Sequence, residues 1–157
     1  MRKTFCGIFS VLLFACITAA PYTAIALDDA GKSLIRTEID TMMKIVIMSA
    51  ERCDVAAVMS NLSGDGDNMF FINSEPYDLT SLAAEFEREY SKMKRQTVNV
   101  ISSKVMVFSP DAAAWIGYGK GRVEYNSGEA MDYVFSETWI WEKIKGKWAV
   151  THYHESA

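Results

Sequence analysis

A carboxylate interrupts an aromatic stripe near the end of the sequence. Successive side chains of an extended segment point to opposite faces, so alternate residues share one face. The face that contains Glu137 consists otherwise of aromatic residues, namely Tyr133, Phe135, Trp139 and Trp141. Apolar surroundings raise the pKa of a carboxyl group, which can then act as a general acid or base near neutral pH. The spacing predicts a proton-transfer site at Glu137; the alternative is a structural ion pair with a cross-strand Lys120 or Arg122.

Both histidines of the chain, His152 and His154, lie two residues apart in the closing segment WAVTHYHESA. Imidazoles at this spacing begin the ligand set of some zinc sites, but zinc needs a third and usually a fourth ligand. The sequence offers no further histidine and no recognisable Asp, Glu or Cys partner. We therefore predict a strand end at a subunit contact, with no metal and no cofactor, and keep a metal-dependent enzyme as an alternative.

The same alternation sorts the residues of the neighbouring segments. One face of the segment before Glu137 carries only glycines, and the other face carries larger side chains; the glycines are Gly117, Gly119 and Gly121, and the larger residues are Ile116, Tyr118, Lys120 and Arg122. Glycine within a strand marks a bend or a close backbone approach. We therefore expect a strongly curved sheet that leaves a cavity above the helices on which it is wrapped.

The closing segment also divides into two faces. Trp148 and Val150 share the face of the two histidines, and the opposite face holds Ala149, Thr151, Tyr153 and Glu155. This division makes Glu155 a second carboxylate that lies away from the imidazoles. It is a second candidate for proton transfer.

The elements that must position these residues are helices followed by strands. Apolar residues at spacings of three and four predict a helix from about Asp28 to the low fifties, with a stripe of Ile35, Ile39, Met42, Val46, Ala50 and Cys53. The pattern then predicts a short helix over 55–59 and a strand over 69–72. A further helix should begin near Asp78 or Ser81, with one side formed by Leu82, Phe86, Tyr90 and Met93. The period then becomes two, which predicts strands over 98–109, 113–125, 131–144 and 148–155. Helices on one face of such an antiparallel meander make an α+β fold.

The first 26 residues have the features of a secretory signal. Arg2 and Lys3 precede an apolar run, and small residues end at Ala26. We expect a signal peptide over 1–26, a single domain over 27–157, and a periplasmic or secreted protein. A lipoprotein with Cys16 at its processed N-terminus is the less favoured alternative.

Composition excludes several partner classes. The net charge of −4 comes with no cluster of Lys or Arg, so we expect no nucleic acid partner. No segment after the signal approaches the roughly 20 apolar residues of a membrane span, so we expect none. Cys53 is the one cysteine beyond the signal, and we expect it to be a small apolar helix residue rather than a nucleophile.

Three motifs mark the last two predicted strands: Glu137-Thr138-x-x-Trp141, Gly146-Lys147-Trp148 and His152-Tyr153-His154-x-Ser156. With the order of helices and strands, they resemble the nuclear-transport-factor-2-like superfamily, in particular SnoaL-like domains and the association domain of calcium/calmodulin-dependent kinase II. The resemblance implies a cone-shaped curved antiparallel sheet wrapped on N-terminal helices, of the nuclear-transport-factor-2-like or cystatin-like type. It also implies a homodimer through the outer sheet face.

The resemblance further implies where the pocket lies. The kinase association domain binds small carboxylates through arginines, whose places are taken here by Lys120, Trp139 and Glu155. These three residues should face the pocket, and His152 and His154 should face away from it. The expected pocket residues are Lys120, Arg122, Tyr133, Phe135, Trp139 and Tyr153, and the candidate catalytic residues are Glu137, Glu155 and Tyr118.

Two functions follow as hypotheses. The first is an exported SnoaL-like protein that binds a small, partly apolar molecule in its pocket. Glu137 or Glu155 would then be the base and Tyr118 or Lys120 would stabilise an oxyanion, in isomerase, dehydratase or cyclase chemistry. The alternative is a non-catalytic accessory or oligomerisation module that acts through the outer sheet face, with the pocket filled by core side chains.

Overall fold

The computed structural model describes residues 27–64 and 68–157. The predicted signal peptide, residues 1–26, lies outside the described residues. The elements in chain order are α1 (Asp29–Glu51), α2 (Val55–Met59), β1 (Met69–Ile72), β2 (Glu75–Tyr77), α3 (Leu79–Tyr90), β3 (Met93–Ser109), β4 (Ala112–Tyr125), β5 (Ala130–Ile144) and β6 (Lys147–Ser156). None of the helices in this part of the chain is long and apolar enough to cross a membrane.

Helix α1 packs against the sheet through one apolar stripe. Asp28 caps its N-terminus by accepting a hydrogen bond from the Gly31 N–H at 2.7 Å. The buried residues of the stripe are Ile35, Ile39, Met43, Val46 and Ser49. Met42, which the spacing predicts on this stripe, is partly buried against the core at the edge of the stripe, and Met43, four residues after Ile39, is the fully buried residue.

Cys53 lies beyond the end of α1, in the turn before α2, with a φ of 53°. The expectation that it is a helix residue was therefore wrong. Burial raises the pKa of its thiol, so the thiolate that a nucleophile requires is disfavoured there.

Helix α3 begins with a capping box and ends earlier than its apolar pattern suggests. The Asp78 carboxylate accepts the Ser81 N–H at 2.7 Å, and the Ser81 hydroxyl accepts the Asp78 N–H at 3.0 Å. The helix stops at Tyr90, and Met93 is already the first residue of β3, where it pairs with Tyr125 of β4. The predicted start of this strand was late because pairing with β4, rather than local periodicity, decides it.

The strands form one six-stranded sheet in the order β2-β1-β6-β5-β4-β3. The predicted antiparallel meander of β3 to β6 is confirmed. The short β1 lies parallel to β6, with Phe70 opposite Tyr153, so the complete sheet is mixed. The expected α+β cone fold is thereby confirmed.

A register shift in the β5–β6 pairing changes which residues share the inner face. Trp139 lies opposite Tyr153, but Trp141 lies opposite Val150, so β6 has one extra residue between these two pairs. Val150 and Tyr153 are consequently both buried, with 0 % and 3 % of their surfaces exposed. The expectation that Val150 shares the face of the histidines was wrong, because strict alternation does not survive a bulge.

The glycines of β4 make room for aromatic rings of β5. Gly119 lies opposite Phe135, and Gly121 lies opposite Tyr133. A Cβ atom at either glycine would overlap the ring of its partner. The missing side chains let the rings lie flat against β4 at the wall of the cone, which is the close approach that the glycine spacing predicts.

Candidate functional site

The open end of the cone contains a cavity of about 380 Å³, within the size range of small-molecule sites. We call it the cone cavity. Its walls come from the apolar stripe of α1, from one side of α3, and from the inner faces of β3, β5 and β6. Helices and strands both contribute apolar side chains to these walls.

Two carboxyl groups face each other in the cone cavity. Glu137 of β5 lies directly opposite Glu155 of β6 in the strand register, and both line the cavity. Side chains of directly opposed residues have Cβ atoms about 5 Å apart. On the other side of β5, Glu137 is opposite Gly117, which offers no side chain to pair with it. No ion pair of the described residues involves Glu137 or Glu155.

Burial and the neighbouring carboxylate raise the pKa of Glu137 to about 8. Burial is the larger cause, because the carboxylate loses its hydration among protein atoms. The indole N–H of Trp139 opposes the shift by donating to Oε2 of Glu137 at 2.8 Å. Glu137 is consequently protonated in most molecules at neutral pH.

Glu155 has a different hydrogen-bond partner. Burial raises the pKa of Glu155, and the short hydrogen bond that the Tyr153 hydroxyl donates to its Oε2 offsets only part of this rise. The pKa of the Tyr153 hydroxyl is raised well above its usual value, by burial first and by Glu155 and Glu137 next. A donor that keeps its proton favours the ionised form of the acceptor. The two carboxyl groups therefore differ in their surroundings: Glu137 carries a proton at neutral pH, and Glu155 accepts a hydrogen bond from a tyrosine that keeps its own proton.

Aromatic rings cover the two carboxyl groups. Trp139 and Tyr153 lie in contact, with ring centroids 4.1 Å apart. Phe86 and Tyr90 of α3 stack on one another at 5.6 Å on the helix side of the cavity. Burial also raises the pKa of the Tyr90 and Tyr133 hydroxyls, so each remains a neutral hydrogen-bond donor at neutral pH.

The cavity also includes two glutamates of α3, which are already paired. Arg88 contacts Glu85 at 2.5 Å and Glu89 at 3.0 Å, and Lys92 contacts Glu89 at 2.7 Å. These ion pairs are partly exposed to solvent and contribute little to stability. They do compensate the charges of Glu85 and Glu89, so the cavity glutamates without an ion pair are Glu137 and Glu155.

Most of the predicted pocket residues lie together. The structure places six of them on the cavity wall: Tyr133, Phe135, Glu137, Trp139, Tyr153 and Glu155. Their roles in binding or catalysis stay predictions. The sequence also suggested none of the helix contributions, such as Met43 and Tyr90, as pocket residues. The apolar stripes of both helices were visible, but a stripe does not reveal whether it covers core or cavity.

The predicted positions of Tyr118, Lys120 and Arg122 on the cavity side were wrong. All three are exposed on the outer face of β4, because the buried positions of that strand alternate with them and belong to the glycines. Arg122 binds the carboxylate of Asp132 with distances of 3.0 and 3.1 Å. The structural alternative for Glu137, an ion pair with Lys120 or Arg122, is wrong for the same reason.

The histidines lie away from the cone cavity. Nδ1 of His152 is 2.8 Å from the carbonyl oxygen of Met69 on β1, and the Phe71 ring lies about 6 Å from both imidazoles. Within residues 27–64 and 68–157, no three His, Cys, Asp or Glu side chains are arranged to hold a metal ion. The pair belongs to the strand end next to β1.

Comparisons with known proteins agree with this geometry. The family model of the calcium/calmodulin dependent protein kinase II association domain matches residues 79–157. No curated protein matches the chain.

Three solved structures illustrate the similarity of fold. A nuclear transport factor 2-like superfamily protein from Salmonella enterica has a TM-score of 0.73 at 16% identity, covering 80% of this chain and 92% of that one. A provisionally assigned calcium/calmodulin dependent protein kinase II association domain from Xanthomonas campestris has a TM-score of 0.62 at 20% identity, covering 87% and 95%. A hexachlorocyclohexane dehydrochlorinase from Novosphingobium barchaimii has a TM-score of 0.68 at 11% identity, covering 82% and 89%.

Proposed function

The chain belongs to the calcium/calmodulin dependent protein kinase II association domain family, within the nuclear-transport-factor-2-like superfamily, and we propose that it is an exported protein that binds a small, partly apolar molecule in the cone cavity. The observation that carries this proposal is the cavity itself, about 380 Å³ of space with two facing carboxyl groups. A packed core would contain neither the space nor the unpaired acids. Apolar walls with a few convergent polar groups are typical of small-molecule sites.

We further propose that the site performs general acid and base chemistry of the isomerase, dehydratase or cyclase type. In the free protein Glu137, with a pKa of about 8, holds a proton, and near neutral pH this side chain can either donate or accept a proton. Glu155, which accepts the Tyr153 hydroxyl, is the complementary base. Two carboxyl groups whose environments differ in this way are suited to opposite roles. The hydroxyls of Tyr90 and Tyr133 replace Tyr118 and Lys120 as the candidate groups that stabilise an oxyanion.

A thermal-shift screen of the purified protein tests the binding proposal. The library contains neutral, anionic and cationic aromatic and alicyclic compounds, and a ligand raises the melting temperature in a dose-dependent manner. The Glu137→Gln variant should remain folded and lose most of this stabilisation. Glu87→Gln is the matched control, because Glu87 is an exposed carboxylate of α3 outside the cavity. Silence across the library, from folded protein, contradicts the proposal.

Catalysis is tested separately from binding. With any uncharged ligand that the screen finds, Glu155→Gln should retain thermal stabilisation while abolishing turnover, because a base is needed for the reaction and not for apolar contact. If this variant converts the ligand as fast as the unaltered protein does, the catalytic role of Glu155 is contradicted.

A second candidate function is oligomerisation through the outer sheet face. That face carries exposed apolar side chains, namely Met106, Phe108, Ile116, Tyr118 and Val134, of which Phe108 is 59% exposed. Apolar groups in such a patch are typical of protein contacts, and the matched family is an association domain. Ile116→Asp should lower the mass measured by sedimentation, and Leu34→Asp, on the exposed side of α1, should not. Identical profiles for both variants would contradict this function.

Export is a proposal from the first 26 residues alone. Expression of the full sequence followed by mass spectrometry of the mature N-terminus tests it. A start at Leu27 supports a cleaved signal peptide, and a lipid-modified Cys16 supports the lipoprotein alternative. A cytoplasmic protein with an intact N-terminus contradicts both.

A further inference from the structure

We infer that the cone cavity selects an organic cation, most simply a protonated aromatic amine, whose ammonium group lies between the carboxyl groups of Glu137 and Glu155. This inference rests on the proposed function, because it names the chemical class of the ligand of the same cavity. It depends on three independent features of the cavity: the sign of its charged groups, the unused oxygens of its carboxyl groups, and its aromatic walls.

The charged groups of the cavity wall are all acidic. Among the lining residues that the structure describes, four are glutamates and none is lysine, arginine or histidine. The titratable groups of the surrounding elements that interact with Glu137 and Glu155 are also acids: Tyr90 of α3, Tyr133 of β5 and Tyr153 of β6. The nearby cations, Arg88 of α3 and Lys92 in the turn that follows it, are already bound to Glu85 and Glu89. A ligand must therefore bring any positive charge itself.

Each of the two central carboxyl groups has one oxygen available to a ligand. Oε2 of Glu137 accepts the Trp139 indole, and Oε2 of Glu155 accepts the Tyr153 hydroxyl. No hydrogen bond of the described residues reaches Oε1 of either side chain. An ammonium group carries three N–H donors and no acceptor, so it can satisfy both oxygens and still meet a third partner. An anionic ligand would instead be repelled by any ionised carboxylate.

The walls suit the remainder of such a ligand. Trp139 and Tyr153 line the part of the cavity that contains the two carboxyl groups, and Phe86 and Tyr90 line the part that α3 forms. Cations bind favourably to the faces of aromatic rings, and the attraction grows when water is excluded. Aromatic or alicyclic hydrocarbon fits the same walls without a polar partner. The arrangement thus places the charge of the ligand at β5 and β6 and its apolar part against α1 and α3.

The protonation state of Glu137 gives the inference a second observable. The empty protein holds a proton on Glu137 at pH 7, since the pKa of this carboxyl group is about 8. An ammonium group beside the carboxylate lowers that pKa by opposite-charge interaction. Binding of an amine at pH 7 should therefore release close to one proton, whereas binding of a neutral alcohol of the same shape should release none.

The test uses probes that differ only in their end group. The set comprises 3-phenylpropylamine, 3-phenylpropan-1-ol and 3-phenylpropionate, together with the same three end groups on cyclohexyl and naphthyl frames. Isothermal titration calorimetry of the purified protein at pH 7, in phosphate and in Tris, measures affinity and proton release together. We expect each amine to bind about 10- to 100-fold tighter than its alcohol, as a charge-assisted hydrogen bond allows, and the carboxylates to bind weakest.

Variants separate this inference from structural effects. The double variant Glu137→Gln with Glu155→Gln should remove the preference for amines, so that each amine binds no more tightly than its alcohol. The single variant Glu137→Gln should abolish proton release. Glu87→Gln, on the outer side of α3, should behave like the unaltered protein.

The outcomes distinguish the inference from the function on which it rests. Tighter binding of alcohols or carboxylates than of amines overturns the cation preference and leaves the small-molecule function intact. Amine binding without proton release, or an unchanged amine preference in the double variant, also overturns it. If none of the nine probes binds but a neutral or anionic compound of the wider library does, only the ligand class is overturned. Silence in both experiments overturns both.

Discussion

Replacing Glu137 by glutamine should stabilise the protein at alkaline pH and have little effect at acidic pH. The substitution keeps the size of the side chain and an oxygen that can accept the Trp139 N–H. Its only large consequence is that residue 137 can no longer ionise. The unaltered protein must either hold a proton on Glu137 or bury a carboxylate beside Glu155, and both alternatives weaken the folded state as pH rises.

The magnitude follows from the two pKa values of the carboxyl group. The value is 4.5 for a glutamate side chain exposed to water and about 8 in the folded protein. Below pH 4.5 both states hold the proton. Between the two values the folded state holds more protons than the unfolded state, so the free energy of unfolding falls by about 1.4 kcal/mol per pH unit. The loss accumulates to at most about 5 kcal/mol near pH 8 and is absent from the glutamine variant.

Urea denaturation followed by far-ultraviolet circular dichroism measures this difference. At pH 5 the variant and the unaltered protein should differ by about 1 kcal/mol or less, and at pH 8.5 the variant should be more stable by roughly 3–5 kcal/mol. Glu87→Gln controls for the loss of a carboxylate as such. Glu155 is present in both proteins, so the difference between them reports the ionisation of Glu137 together with its interaction with Glu155. Equal stabilities at pH 8.5, or a variant that is less stable there, would refute the argument that burial protonates Glu137.

Three other substitutions test neighbouring parts of the structure. Gly121→Ala should displace the Tyr133 ring and lower the free energy of unfolding by about 1–3 kcal/mol, measured by urea denaturation, and no change would show that the ring is not confined. Trp139→Phe removes the N–H that donates to Glu137, so the midpoint of the pH dependence of stability should move to higher pH; a move to lower pH would contradict the hydrogen bond. Asp78→Ala should cost about 1 kcal/mol of stability by removing the cap of α3, and the helix signal of circular dichroism would be expected to fall slightly.

The fold was largely readable from local patterns. The stripe of Ile35, Ile39 and Val46 predicts α1 because a helix repeats every 3.6 residues, and that repeat is a property of the chain itself. Alternation from β3 to β6, with turns at Asn126-Ser127-Gly128 and Lys145-Gly146, predicts the antiparallel meander in the same way. The motifs of the last two strands added the cone shape by resemblance to a known superfamily.

The candidate site was only partly readable. Glu137 stands out because a carboxylate in an aromatic stripe is detectable within one strand. Its position opposite Glu155 is not detectable, since the register between β5 and β6, including the bulge, sets it. The choice of cavity face on β4 also went wrong, because the sequence shows that Tyr118 and Gly119 point in opposite directions but not which of them points inward.

The sequence by itself determined the helices, the four long strands and the presence of a buried carboxyl group at Glu137. Only the tertiary structure decided that the glycines of β4 face inward, that a bulge in β6 brings Val150 and Tyr153 to one face, and that Glu137 meets Glu155 rather than a basic residue. The physical reason is that periodicity is a local property of the backbone, whereas facing, register and the pKa of a buried acid depend on residues distant in the chain. Contacts between residues distant in the chain bring Glu137 and Glu155 together in one cavity.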